Sequence, residues 1–582
     1  MAEIEIRTER IDDVPLLVHQ QLKMGIPDIL DQLIQPHGNR QGLSVGWLAT
    51  VWLSYILSQS DHRLSEVEPW VEQQFETLSA LIPEPLTVKD FTDDRLADLL
   101  RYLNSNEVWQ EVEEQLGQRL MQVYDLKQEP VRLDSTSVSV YHDEEDTTLF
   151  RQGHSKDHRP DLAQFKVMLS TLDPMGMPIA TLMVAGNEAD DALYVPTIQR
   201  SRKIIGTRGQ LYVGDTKMGA LATRGYVQAG GDYYLLPLAQ TGEVPELLKQ
   251  LLEPIWLGKQ NIERVELDQQ SATDTCSGAN RRQLLAAGYQ VSRDQQTDVN
   301  GQSLSWQERV LVVYSPVFAR SARRGLQQRL ERAALALRNL TPPPGRGKRQ
   351  WHDLEPLQAS LQAILKRYRV EGLLDVSHIE QSQQRTIRAY ANRPARTEER
   401  VRYVVQVQRN STAILSTRRA LGWRLYVTNA PENKLPLAQA IQVYRGSPNM
   451  ERNHHRLKGY PLGLRPMYVQ REDHATGLVR LLSLALRVLT LVEHVVRAGM
   501  QAGAETLQGL YAGNPQRQTP RPTTERLLKA FKDITLTVVK LPEQLLRHVT
   551  PLSQLQRRIL MLLGLSASIY EELADMAPPI PP

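Results

Sequence analysis

Three carboxylates stand in positions where their burial would need a physical reason. Asp134 lies inside V-R-L-D-S-T-S-V-S-V-Y, whose apolar and small polar residues alternate with the period of a strand. A carboxylate in mid-strand is costly to bury unless it is hydrogen-bonded or binds a cation. Asp215 closes L-Y-V-G-D, a short apolar strand, and the carboxyl ends of such strands are where the reactive groups of α/β sheets gather. Glu451 belongs to Y-R-G-S-P-N-M-E-R-N-H-H-R-L-K-G-Y, running from Tyr444 to Tyr460. There Ser447 and Pro448 form a helix-start pair and Gly459 a stop. They predict a helix of about three turns with Glu451, His455 and Lys458 along one stripe. Three oxygen donors without a Cys or His cluster match the hard-cation preference of Mg2+, which keeps waters and completes its shell with phosphate. Two such ions roughly 4 Å apart would activate a water or a 3′-hydroxyl and stabilise the leaving oxygen of an in-line displacement at phosphorus. The indicated chemistry is that of a nuclease or a strand transferase.

The elements that must hold these residues follow from periodicity. Residues 1–125 read as a compact helical domain: a short amphipathic segment starts at Val14, Leu43 to Leu57 is apolar nearly all round, and Trp109 to Val123 has helical spacing. Thr92 with Asp93 and Asp94 reads as a helix start whose carboxylates suit the dipole. From Val131 the period changes to that of strands. Phe165 to Val184 is two strands joined by Asp-Pro-Met-Gly, Tyr194 to Ile205 is a helix, and Leu211 and Tyr233 begin short buried strands. This order predicts an α/β core with a mixed sheet. A long intervening segment follows. Val265 to Tyr314 is strand-rich, Arg320 to Leu340 is a basic helix, T-P-P-P-G-R-G-K-R is a linker, Asp353 to Tyr368 is a helix, and Thr386 to Gln408 and Trp423 to Thr428 are strands. Beyond the Glu451 helix, Gly477 to Met500 is a long apolar-rich helix, Thr523 to Leu565 reads as two or three more, and the A-P-P-I-P-P tail reads as frayed.

Composition bounds the class. A chain of 582 residues is too long for one ordinary core, and 41% hydrophobic with 23% charged residues is globular rather than disordered. No apolar run reaches the roughly 20 residues that span a bilayer, and the start M-A-E-I-E-I-R-T-E-R is too charged for a signal peptide. The expected location is cytoplasmic, with no membrane partner. The single cysteine, Cys276, excludes a disulfide framework and a Cys-rich zinc site. Charge is uneven. Residues 1–130 hold 10 Lys+Arg against 23 Asp+Glu, whereas Arg320 to Arg349 has nine basic residues to one acidic and Arg385 to Arg419 nine to two. An acidic head on a body with arginine-rich stretches points to a polyanion for the body.

V-R-L-D-S-T-S, G-H-S-K-D-H-R-P-D (Gly153 to Asp161), L-Y-V-G-D-T-K-M, G-W-R-L-Y-V-T-N (Gly422 to Asn429), Y-R-x5-E-x6-K and L-R-P-M-Y-V-Q-R-E-D together resemble the DDE transposases of bacterial insertion sequences. The branch resembled is the large insertion-sequence-four-like group with a Tyr-Arg-Glu-Lys signature and a β-rich insertion. The resemblance implies a multidomain α+β protein with a ribonuclease-H-like core carrying Asp134 on its first strand, Asp215 after its fourth and Glu451 on the helix after the insertion. The expected boundaries are 1–125 for a helical head, 126–238 and 421–470 for the two parts of the core, 239–420 for the insertion and 471–582 for a helical C-terminal region. It further implies cut-and-paste transposition with two Mg2+ ions, Mn2+ being able to substitute. Element-end cleavage and strand transfer into target DNA, binding of terminal inverted repeats and a synaptic homodimer belong to the same expectation, as does association with the bacterial nucleoid when DNA is bound.

The branch pattern places an arginine three residues after the tyrosine, where this chain has Ser447. Arg445, next to Tyr444, is the nearest substitute, while Glu451 and Lys458 keep the spacing. Since Pro448 disfavours helix for the residue before it, a helix should start there rather than run through from Tyr444. Lys458 is expected at a DNA phosphate near the cleaved end. His154 and His158 are four apart but flank Lys156 and Arg159, so Lys156, His158 and Arg159 read as a phosphate-facing loop rather than a metal site. On the basic helix, Arg323 and Arg324 are expected to track backbone phosphates. Trp306, Trp351 and Trp423 read as core residues or as stacking partners for a flipped base. Two other functions stay open at this point: a domesticated or decayed DNA-binding protein, and a ribonuclease-H-like nuclease without strand transfer.

Overall fold

The computed structural model describes residues 5–141, 147–267, 283–345, 347–389, 394–446, 448–541 and 544–575. Cys276, the Ser447 cap and the Pro-rich tail lie outside the described residues. The chain forms two compact units, one of Met1–Leu236, Asp294–Glu308 and Thr428–Pro582, the other of Pro237–Arg293 and Arg309–Val427.

The first unit is built on a mixed sheet. Its strands run in the order Met177–Ala185, Gln164–Leu172, Val131–Ser139, Leu211–Val213, Tyr233–Pro237. The first three pair antiparallel, and the Asp-Pro-Met-Gly reversal closes on Gly176, whose φ of +75° suits a residue without Cβ. Leu211–Val213 then pairs parallel to Val131–Ser139 on one side and Tyr233–Pro237 on the other. Helices Tyr194–Ile205 and Leu221–Ala229 provide the crossovers that parallel pairing demands. Gln164–Leu172 is buried along its whole length, as expected for a strand covered on both faces.

Around this sheet lie the helices of both termini. Val45–Gln59 is buried from Val45 to Leu57 and is capped by the Ser44 hydroxyl, which accepts from the Trp47 amide. Against the expectation that no run is long enough to span a bilayer, the 31-residue helix Glu472–Ala502 is long and apolar enough to cross one by length and composition, and 94% of its most apolar stretch is buried. It is therefore a core helix. A Cβ on its Gly477 would lie 2.1 Å from the Leu100 carbonyl oxygen, so only glycine lets it approach Asp93–Asn104 this closely.

Neither terminal region is wholly helical, which corrects the sequence reading at two places. Glu5–Arg10 is a strand pairing antiparallel with Thr535–Lys540, and the latter pairs with Leu545–Val549. Within Thr523 to Leu565 there are thus two helices, Thr524–Lys529 and Gln554–Leu563, separated by a hairpin. The run T-L-T-V-V-K has the β-branched content of a strand, while the E-I-R-T-E-R edge carries charges that blur its alternation and blunt the exposed edge.

The strands Trp423–Thr428, Gln302–Tyr314, Gln283–Val299 and Glu263–Leu267 are neighbours in that order, and the second unit holds all of them except Asp294–Glu308 and Thr428. Asn300 and Gly301, at φ +52° and +79°, make the tight reversal between the two long ones. A separate core joins helices Pro316–Leu340 and Leu354–Tyr368 to the base of a second hairpin, Leu374–Ile387 with Arg396–Arg409.

Candidate active site

Asp134 and Asp215 are brought together by the parallel pairing of their strands. Val131 pairs with Tyr212 and Arg132 with Val213; Asp134 lies two residues further along its strand, and Asp215 two residues past the end of Leu211–Val213. Both aspartates act on the buried Tyr194 phenol, which donates to Asp215 and feels the charge of Asp134. Like charges brought near one another repel unless a cation or hydrogen bonds neutralise them.

The bonds around the pair are specific. Asp215 accepts at one oxygen both the Tyr194 hydroxyl, at 2.6 Å, and the Lys217 amide, at 2.8 Å, and it caps the turn Thr216–Gly219. Tyr194 begins the crossover helix and is almost fully buried. Burial first, and then the charges of Asp215 and Asp134, push its phenol well above the usual range, so it stays a donor. Asp134 accepts the Ser135 amide at 2.9 Å, and its other oxygen lies 3.4 Å from the His454 Nε2. Burial alone would raise the Asp134 carboxyl. The His454 ring, Lys156 and the Ser135 amide outweigh it and hold the group below its ordinary value.

Helix Pro448–Lys458 docks along the Asp134 strand. It starts at Pro448, separate from Leu437–Tyr444, as the proline requires. Buried His454 meets Asp134, and further along the same strand the Lys458 Nζ lies 3.4 Å from the Ser137 carbonyl and 2.8 Å from Asp157. At the other end of the contact, Arg132 is paired with Asp173 at 2.6 Å and donates to the carbonyls of Val443 and Tyr444, at 2.6 and 3.5 Å. Asn453 reaches the Gly176 carbonyl at 2.6 Å. Glu451 sits one turn before His454 and is exposed, as is His455. Among the described residues no group of three His, Cys, Asp or Glu side chains is close enough to hold a metal ion. Asp134 and Asp215 share the surroundings of Tyr194, while Glu451 is exposed and joins no such group. As a donor set the pair fits a hard divalent cation, whose remaining positions water and phosphate can fill.

The other predicted contacts are dispersed. Lys156 lies half-buried beside the pair, its Nζ 2.6 Å from the Ser135 carbonyl and 3.6 Å from Asp190. His158 is exposed at φ +58°. Arg159 is paired with Asp161 at 2.7 Å and stacks over the Tyr141 ring. Arg445 is half-buried just past the Tyr444 helix, and Arg323 and Arg324 are exposed on Pro316–Leu340 in the second unit. His154 is exposed and makes no metal cluster. The three tryptophans are packed: Trp306 donates to the Tyr234 hydroxyl at 3.0 Å, Trp351 to the Leu340 carbonyl at 2.8 Å, and Trp423 packs on Tyr314.

Tyr194 and the His454–Asp134 contact were missed by sequence reasoning. His454 had a signal, since it lies three residues after Glu451 on a predicted helix. Tyr194 had none, because only the crossover brings its hydroxyl to Asp215. A family model for the transposase DDE domain matches residues 126–488, well over half of the chain. No curated protein matches the sequence.

Proposed function

The chain belongs to the DDE transposase family, and from that premise we propose that it cuts DNA at the ends of its own element and joins the freed 3′-hydroxyls to target DNA. Membership carries a transposase role and DNA as partner. The finer reading is the insertion-sequence-four-like branch, a ribonuclease-H-like core formed by 126–238 and 421–470, cut-and-paste chemistry and a synaptic homodimer. The observation that supports it is the parallel pairing of the Asp134 strand with Leu211–Val213, which Asp215 follows by two residues, with the Glu451 helix docked on the Asp134 strand.

In this reading Asp134 and Asp215 would hold Mg2+, with Glu451, exposed one turn before His454, as the third donor. Bound ions would supply Lewis-acid activation of the attacking oxygen and charge neutralisation at phosphorus. The chain's own residues set the stage. Tyr194 and the Lys217 amide occupy one oxygen of Asp215 and so fix its rotamer. Lys156 and His454 lower the cost of keeping Asp134 ionised before metal arrives. Lys458, held by Asp157, can release that partner for a DNA phosphate at similar electrostatic cost. Tyr444, Arg445, His158 and Arg159 lie on segments flanking the same strand, and Arg323 and Arg324 would add sequence-independent affinity from the second unit.

The test supplies pre-cut linear DNA, made from the sequence flanking this gene, to the full chain with Mg2+ and a supercoiled plasmid. Joined product is the expected result. Nicking without joining would indicate a nuclease, and end binding with neither step a decayed DNA-binding protein.

A further inference from the structure

The hairpin Leu374–Ile387/Arg396–Arg409 is longer than its packing uses. At its base, Leu374 and Val405 belong to the second unit's core, and Val376, Tyr403 and Val407 pack against it. Its register runs unbroken from Leu374 opposite Arg409 to Ile387 opposite Arg396. Opposed residues share a face and successive residues alternate. The five core-facing residues therefore define one side, and the other side carries Gln381, Arg396, Arg400, Arg402, Gln406 and Gln408. Arg402 is half-buried and the other five are exposed. By the same register Glu380 and Glu399 fall on the core side, and Asp375, which accepts from the Asn410 side chain at 3.2 Å, falls at the base of the arginine- and glutamine-bearing side.

Stability does not account for this arm. An isolated two-stranded hairpin is marginal in water, and open strand edges invite unwanted pairing. Its composition points to a ligand. Residues 374–409 hold seven arginines, five glutamines and no lysine. A solvated arm needs only charge, for which lysine serves as well. Arginine and glutamine are the side chains that make two-pronged hydrogen bonds to guanine and adenine edges. A two-stranded ribbon also fits the major groove of B-form DNA, and the seven residue pairs beyond Glu380–Tyr403, at ~3.3 Å each, extend about 23 Å, some two thirds of a ~34 Å helical turn.

We propose that this hairpin is a base-reading arm that lays its arginine- and glutamine-bearing side in the major groove of duplex DNA. The proposal rests on the DNA-processing reading above and adds to it where sequence is read. The full chain and its variants are each offered a pool of random 24-base-pair duplexes, and the bound fraction is sequenced. Wild type should select a motif. Gln381→Ala with Arg400→Ala should lose selection at a few adjacent base pairs and bind the wild-type motif about tenfold or more weakly. Arg400→Lys, which keeps the charge and loses the fork, should lose selection while keeping most of the affinity for unselected DNA. Arg323→Ala with Arg324→Ala should weaken binding to all sequences alike and leave the motif intact. If the arm variants, folded as judged by unchanged thermal melts, select the wild-type motif with wild-type affinity, the arm proposal is overturned and the transposase reading stands. If wild type binds no duplex, both fail. Binding of single strands in preference to duplexes would also overturn the arm.

Discussion

At the scale of single residues, the account turns on what holds Asp134 and Asp215 in place. Asp134 and Asp215 could be singled out from sequence because each breaks the pattern of its strand. Tyr194 could not, because only the crossover brings it to Asp215, whereas His454 was marked by its place one turn after Glu451 on the docked helix. Tyr194 fixes Asp215 through one 2.6 Å bond. Tyr194→Phe keeps the ring's packing and removes that bond, so it should raise the Mg2+ concentration for half-maximal DNA cleavage several-fold, with a parallel loss of Mn2+ binding by calorimetry. Unchanged Mn2+ affinity would remove Tyr194 from the site. His62 provides a pH test. It is buried, and burial lowers its pKa to about 4. The folded state therefore holds it neutral while the unfolded chain protonates it below about 6.5. Its contribution is complete above pH 6.5 and is lost as pH falls from there towards 4, up to about 3 kcal/mol. Urea titrations at pH 7 and pH 4.5 should show a smaller acid loss for His62→Phe than for wild type.

At the scale of elements, strand and helix positions in the core were legible wherever a period was clean, as in Val131–Ser139, Tyr194–Ile205 and Pro448–Lys458. The terminal sheet was not, since its pairing joins Glu5–Arg10 to a strand more than 500 residues away and charged edge residues hide its alternation. Buried polar ties were equally invisible. Glu113 on Asn106–Val123 is fully buried between Arg487 and Arg200, each at 2.8 Å. It thereby ties the head to Glu472–Ala502 and to the helix that carries Tyr194. Burial pushes Glu113 up and Arg487 down, opposed at Glu113 by Arg200 and Arg487 and at Arg487 by Glu113. Removing one partner of a buried pair strands the other, so Glu113→Gln should cost about 3–5 kcal/mol by denaturant unfolding. A loss below ~1 kcal/mol would mean the triad is solvated.

At the scale of the whole molecule, charge separates the chain more clearly than hydrophobicity does. Residues 1–130 carry a net −13, and the remainder carries 59 basic against 43 acidic residues. DNA contacts should therefore concentrate on the remainder. Since each neutralised phosphate steepens the salt dependence by about 0.9 in log–log slope, Arg323→Ala with Arg324→Ala should flatten that slope by up to about 2. The measurement that bears most directly on the central claim is Mg2+-dependent cleavage of a plasmid carrying this gene with its native flanks, by wild type and by Asp134→Ala, Asp215→Ala and Glu451→Ala. The account predicts that each variant binds the element ends with near wild-type affinity and cuts neither strand. An Asp215→Ala protein that still cuts would contradict it.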